Sequence, residues 1–263
     1  MIIAERINPT GRKKFAEALL AGRMDLVREE ALRQVAAGAE ILDVNVGVAG
    51  IDEPAVLREA VQTVMAAVDV PLCLDSSNPQ ALAAALEVYE GKPLVNSVTA
   101  EDSSLEEILP LVARYHAAVV ALPHDEHGIS PEPAERVRLA SRILERAASL
   151  GVPAEDVVVD GLAMAVSADG TAGRITLETL RRLRDDLGVA TTLGASNVSF
   201  GLPDRPILNL TFMAMAVFNG LTAPIADPLL PGLRRLCRAA DLFLERDEWA
   251  MRYLEDYRGF PPA

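Results

Sequence analysis

Aromatic side chains make up only 4% of this 263-residue chain, cysteine occurs twice and histidine three times. With a hydrophobic content of 50%, so few aromatics exclude a core built on Phe, Tyr and Trp. They point instead to Val, Ile, Leu and Ala in parallel strands buried on both faces. Two cysteines, Cys73 and Cys237, make neither a disulfide framework nor a zinc quartet, and they suit a reducing cytoplasm. No apolar run approaches the roughly 20 residues of a membrane span, and the amino terminus shows no basic segment leading into an apolar stretch and cleavage site. A soluble, unexported protein is expected. Basic residues are in deficit, 25 against 38 acidic for a net charge of -13. That balance argues against nucleic acid, whose phosphates require clustered Lys and Arg.

What the chain has in abundance is one repeated junction, an apolar run that gives way to a polar cluster. Examples are Ile2-Ile3-Ala4-Glu5 into Arg6-Ile7-Asn8, Leu42-Asp43-Val44-Asn45 into Gly47, Leu72-Cys73-Leu74-Asp75 into Ser76-Ser77-Asn78, and Leu94-Val95-Asn96-Ser97. Ala118 to Leu122 into Pro123-His124-Asp125, Val157-Val158-Val159-Asp160, and Leu193-Gly194 into Ser196-Asn197-Val198-Ser199 repeat it. An eighth strand is expected over Leu221 to Ala226, ending at Asp227. Helical periodicity separates the runs. From Pro131 to Leu150, Ser130 is a candidate cap, Pro133 fits a first turn, and Gly151 and Pro153 stop the helix. Leu82, Ala85, Leu86 and Tyr89 form a stripe closed by Gly91, and Asp25 to Ala37 forms another ending at Gly38. Eight such units predict a single-domain (β/α)8 TIM barrel over 1–263, with covering helices at about 233–257. A doubly wound open sheet is the alternative that periodicity leaves open.

In a barrel the carboxyl ends of the strands form the catalytic rim. Asp75, Asn96 and Asp160 fall there. Carboxylates that accept N–H groups, with an amide that donates and accepts, complement the 2-amino-4-oxo edge of a pterin; each would alternatively cap its helix or pair with an Arg. Asp43 and Asn45 share strand parity, so they line the pocket or hold other side chains in it. Glu5 and Arg6 form either an ion pair or a ligand contact, and turn chemistry accounts for Asn8. In Gly194-Ala-Ser-Asn-Val-Ser-Phe-Gly201 the glycines let backbone approach a ligand, and Ser196 and Asn197 offer neutral polar groups. The segment is not a GxSxG elbow, which argues against a serine hydrolase. His124 and His127 lack the HExxH spacing and read as a solvent-exposed turn, so no metal site is expected. His116 is read as ending a helix.

Taken together, Glu5-Arg6-Ile7-Asn8, Leu42 to Gly47, Cys73-Leu-Asp-Ser-Ser-Asn78, Val95-Asn96-Ser97, Asp160, Gly194 to Ser199 and Asp204-Arg205-Pro206 through Ala216 resemble the pterin-binding methyltransferases. The resemblance runs from the first strand to Asp227. It is nearest to the methyltetrahydrofolate:corrinoid protein methyltransferases and to the folate domain of cobalamin-dependent methionine synthase. It implies pterin contacts at Asp75, Asn96 and Asp160, and a catalytic amide at Asn197 bonded to the methyl-bearing pterin nitrogen. Arg205 is implied to support the Asn loop or reach substrate. Two departures, Gly161-Leu162 after Asp160 and Ala195 in place of Leu, bear on loop shape. Methyltetrahydrofolate or tetrahydrofolate is the implied substrate. The chain has no corrinoid module of its own; Asp125-Glu-His127 begins the DxHxxG signature, but Ser130 stands at its glycine. A separate corrinoid protein is the implied partner, and a homodimer the implied assembly.

Two rivals stand beside this reading. A dihydropteroate synthase-like enzyme shares the barrel and the carboxylates, but it typically brings a lysine and a Ser-Arg pair on its later strands. A non-catalytic folate-binding subunit of a corrinoid complex would keep the pocket without turnover. The direction of transfer stays open between delivery to a corrinoid iron-sulfur protein, marginally preferred, and demethylation of a methylated corrinoid protein. Lys13-Lys14 and the first helix match neither subgroup decisively.

Overall fold

Alternation along each strand, with every second side chain turned the same way, decides this architecture. The computed structural model describes residues 1–259. Eight strands close into a barrel in sequence order: β1 (Ile3–Ile7), β2 (Ile41–Val44), β3 (Leu72–Asp75), β4 (Leu94–Thr99), β5 (Ala118–Leu122), β6 (Val157–Asp160), β7 (Ala190–Gly194) and β8 (Ala223–Ala226). All pairings are parallel, and β1 pairs with β8 through Ile3↔Ile225 and Ala4↔Ala226. The predicted (β/α)8 barrel is therefore the fold, and the open sheet is excluded.

Helices α1 (Lys13–Leu20), α2 (Asp25–Ala36), α3 (Glu53–Met65), α4 (Pro79–Leu86), α5 (Asp102–Glu107), α6 (Leu109–Arg114), α7 (Pro133–Ser149), α8 (Ala172–Arg182) and α9 (Arg205–Phe218) surround the strands. Outward-facing Leu42, Val44, Leu74, Val95 and Val119 pack against them in one large buried cluster. Inside the barrel, Ile3, Ile41, Cys73, Leu94, Val120 and Ala223 form a separate apolar cluster. Two residues further along the same strands stand Glu5, Asp43, Asp75 and Asn96. The barrel interior is thus an apolar floor under a polar mouth, which gives the repeated junction its physical meaning.

Local signals behave as their chemistry demands. Pro133 opens α7, but Glu132 holds the cap position while Ser130 Oγ accepts from the Glu132 amide at 3.1 Å. The Asn78 side chain caps α4, accepting from the Gln80 amide at 3.0 Å. Tyr89 lies beyond the end of α4 rather than on its face, and its hydroxyl accepts from the Leu72 amide at 3.2 Å. Strand β8 begins at Ala223 rather than Leu221; the preceding Thr222 trades hydrogen bonds with Thr191. At the carboxyl end, α10 (Leu233–Phe243) and α11 (Met251–Gly259) flank a turn in which Glu245, Trp249 and Ala250 have positive φ. Arg234 pairs with buried Asp256 and donates to Gly38 O at 3.0 Å, and Arg238 Nη2 reaches Glu40 Oε1 at 2.8 Å. These contacts tie α10 and α11 to the segment entering β2.

Candidate active site

Four interior side chains from three adjacent strands interlock on one side of the mouth. Asn45, just past β2, donates through Nδ2 to Asp75 Oδ2 at 2.9 Å, and its own Oδ1 accepts from the Gly47 amide at 2.8 Å. Asn96 on β4 reaches across β3 and donates through Nδ2 to Asp43 Oδ1 at 3.2 Å. The strand register explains these pairs: Asp43 is level with Cys73, and Asp75 with Asn96, one interior layer nearer the mouth. Asp43 is 2% exposed. Burial pushes its carboxyl well above the usual range, and the neighbouring Asp75 carboxyl adds to the rise. Burial also raises Asp75, against the stabilising hydrogen bond from Asn45. Asp43 and Asn45 thus hold the other two residues in place.

Asp160 ends β6 alone. Its Oδ1 accepts the Leu162 amide at 2.7 Å, yet burial outweighs that bond and nearby Arg136, and its pKa is raised to about 6. The Arg136 guanidinium serves the following turn, donating to Gly161 O at 3.0 Å and Leu162 O at 2.9 Å. The Gly161-Leu162 departure is accounted for here. A Cβ at Gly161 would lie 2.8 Å from Leu180 Cδ2, and Leu162 has a φ of 56°. The turn is closed down on α8, so a side chain at 161 would press on Leu180.

Next to β6, and across the mouth from β3, stands the loop after β7, a 3₁₀ turn over Ala195–Ser199. Arg205, at the start of α9, donates to Ser199 Oγ and to Ser196 O, both at 2.9 Å, and its guanidinium stacks over Phe200 at 4.5 Å. These contacts of Arg205 are all with the loop. Ser196 Oγ donates to Glu5 Oε1 at 3.1 Å. Burial, reinforced by Asp227, raises the Glu5 carboxyl despite that hydrogen bond. Arg6 faces Asp227 rather than Glu5, with Nε 3.7 Å from Asp227 Oδ2. Asn197 is exposed, and its side-chain amide makes no hydrogen bond among the described residues. A Cβ on Gly194 would lie 3.0 Å from Asn197 Nδ2, so this glycine leaves the room the amide occupies.

The remaining candidates are structural. Asn8 Oδ1 accepts the Thr10 amide at 2.9 Å, closing a turn. His127 is exposed in a turn closed by the Asp125↔Gly128 bridge. Among the described residues no group of three His, Cys, Asp or Glu is placed to hold a metal. Reading of the sequence missed two supporting residues. Arg136 carried only a helical signal. Glu53, which accepts Ser76 Oγ at 2.5 Å, stands far from β3 in sequence.

The mouth can therefore present carboxylate and amide groups to a flat ring of N–H donors on one side, and an uncommitted amide on the other. Comparison with known proteins agrees. The pterin binding enzyme family profile matches residues 4–227. The chain is 30% identical, over 98% of its length and 96% of the relative, to a protein named methylcorrinoid:tetrahydrofolate methyltransferase from Eubacterium limosum. It is 32% identical over 88% of its length to methionine synthase of Mycobacterium tuberculosis, of which it spans 21%. The fold is shared with dihydropteroate synthase of Yersinia pestis, at a TM-score of 0.67 and 15% identity covering 93% of each chain. It is shared too with the Xanthomonas albilineans enzyme in complex with 7,8-dihydropteroate, at a TM-score of 0.66 and 18% identity covering 92% of each chain.

Proposed function

Since the chain belongs to the pterin binding enzyme family, we propose that its mouth binds a folate and transfers a methyl group between pterin nitrogen 5 and the cobalt of a corrinoid carried by a separate protein. The observation that carries this reading is the pairing of the committed groups Asp75, Asn96 and Asp160 with the uncommitted Asn197 amide on the loop after β7. The wall accepts the pterin N–H groups and sets the ring's orientation. Asn45 and Asp43 support the wall, and Ser196, Arg205 and Glu5 hold the Asn197 loop. The name of the Eubacterium limosum relative supports the direction from methylcorrinoid to tetrahydrofolate, against the marginal preference drawn from sequence.

The chemistry fits neutral donors. In the direction from corrinoid to folate, the pterin nitrogen attacks the methyl carbon, the carbon–cobalt bond breaks with its electron pair left on Co(I), and the nitrogen sheds its proton. In reverse, the nitrogen must gain a proton or strong hydrogen bond as its bond to carbon breaks, because the secondary-amine anion that would otherwise depart is a poor leaving group. Asn197 stabilises the protonated nitrogen without titrating. Glu5, its carboxyl raised by burial and bonded to Ser196, is placed to hold a proton beside that loop.

The dihydropteroate synthase alternative fits less well. All lysines of the chain are at positions 13, 14 and 92, so the β7 end has none to offer a diphosphate, and likeness to those structures reports the barrel alone. We further propose that the activity resides in this single barrel in the cytoplasm, where Cys73 and Cys237 stay free. The described residues include no helix long and apolar enough to cross a membrane. We assign the expected homodimer contact to α9, whose Ile207, Met215 and Phe218 are 55%, 47% and 67% exposed. Sedimentation should show a dimer that Phe218→Glu dissociates.

The test mixes the protein with methylcobalamin and tetrahydrofolate, then with methyltetrahydrofolate and Co(I) cobalamin, and follows the corrinoid spectrum. Exchange in either direction, lost in Asn197→Ala, supports the methyltransferase. Folate binding with no exchange, even with a corrinoid protein supplied, would support the non-catalytic subunit.

A further inference from the structure

The Asp43–Asp75 pair is an unusual thing to bury. The two carboxyls stand in neighbouring interior layers of β2 and β3, each bonded to a neighbouring Asn amide, Asp43 is buried, and neither forms an ion pair with Lys or Arg among the described residues. The groups that face them add no positive charge. Cys73 on β3 bonds Asp43, Asn45 and Asn96 each contribute one amide, and Glu53 from α3 adds a further acid near Asp75. Burial and the mutual repulsion of two carboxylates favour a state in which the pair keeps one proton. The register says where. Asp43 sits one interior layer below Asp75, level with Cys73 on the apolar floor, whereas Asp75 is at the mouth with the Asn45 amide to stabilise its charge.

We propose that Asp43 is a positioning residue which keeps this proton and donates it to Asp75, holding Asp75 ionised and aimed at the pterin. The same carboxyl fixes the Asn96 amide. Because Asn96 Nδ2 is committed to Asp43 Oδ1, its Oδ1 is turned away from Asp43. The O–H of one carboxyl thus sets the donor and acceptor pattern of two neighbouring ligand groups, and the wall carries one negative charge fewer than its carboxyl count. This deepens the pterin reading and rests on it for its consequence, although the proton itself does not depend on ligand.

Asp43→Asn can reproduce both contacts, Nδ2 donating to Asp75 and Oδ1 accepting from Asn96, but has no proton to lose. Asp43→Leu can reproduce neither. Infrared spectra of the ligand-free protein at pH 8 should show a protonated-carboxyl band that Asp43→Asn removes. The affinity of the wild type for methyltetrahydrofolate should fall as rising pH strips the shared proton. Asp43→Asn should keep most of the neutral-pH affinity and lose that alkaline fall, and Asp43→Leu should bind about tenfold more weakly or worse. A wild-type minus Asp43→Asn difference spectrum without a protonated-carboxyl band would overturn the proposal, as would an alkaline fall unchanged in that variant. Should Asp43→Leu fail to fold, the infrared band and the Asp43→Asn profile still decide. Should no form bind the folate, the band alone decides the proton, and the pterin reading fails separately.

Discussion

Asn197 and Asp160 are opposite kinds of residue. Asn197 gives up nothing to the protein, since its amide is exposed and free of side-chain hydrogen bonds among the described residues; in the proposed function it acts on the ligand. Asn197→Ala should therefore lower methyl transfer by about a hundredfold or more, the usual effect of losing a group that hydrogen-bonds the reacting atom. Folate affinity, measured by calorimetry, should fall much less. Asp160 instead burdens the fold. With a folded pKa of about 6 against an ordinary value of 3.8, the native state binds this proton more tightly than the unfolded chain does. Its contribution to stability is full below about pH 4 and is lost as pH rises through 6, amounting to on the order of 2–3 kcal/mol. Thermal unfolding between pH 4.5 and 8 should show Asp160→Asn more stable than wild type above pH 6 and similar at the acid end. Equal curves throughout would mean that the carboxylate is better solvated than its burial indicates.

At the scale of elements, each functional group is set by the end of one strand and the turn that follows. The Asn197 loop is the clearest case, since Arg205 on α9 and Gly194 on β7 together define it. Gly194→Ala introduces a Cβ that would lie 3.0 Å from Asn197 Nδ2. The variant should retain its melting temperature to within a few degrees and lose turnover, because the amide must move while the barrel need not. Turnover equal to wild type would show that the loop adapts. The strand-end carboxylates and amides were legible from sequence because parity and position follow directly from the β-run that precedes them. The partners of those groups were not. Arg136 reaches the Gly161-Leu162 turn from a helix 25 residues earlier in the chain, and no local pattern specifies that reach.

At the scale of the whole molecule, barrel closure brings the first and last units together. Asp256, 6% exposed on α11, pairs with Arg234 and lies 3.7 Å from Arg238. Both arginines also touch the Gly38–Glu40 segment that leads into β2. Asp256→Ala leaves those cations without their buried carboxylate and should cost about 3 kcal/mol in urea unfolding. The apolar side chains that α11 leaves exposed mean that truncating it removes little core, so the loss should come mainly from this pair.

The sequence by itself determined the eight βα units, the strand ends at which Asp75, Asn96, Asp160 and Asn197 stand, and the absence of charge and metal-ligand patterns that other chemistries require. Period-2 alternation and helical periodicity are local properties, so a linear reading recovers them. Only the tertiary structure decided which of these groups are spent on one another. The partners of Glu5 and Arg6, Ser196 and Asp227 rather than each other, the bonds of Arg205 to the loop, and the placing of Asp43 beside Asp75 all depend on strand register and closure. Hydrogen bonds between strands connect residues 30 to 191 positions apart, and their energies are set by burial that no single segment possesses.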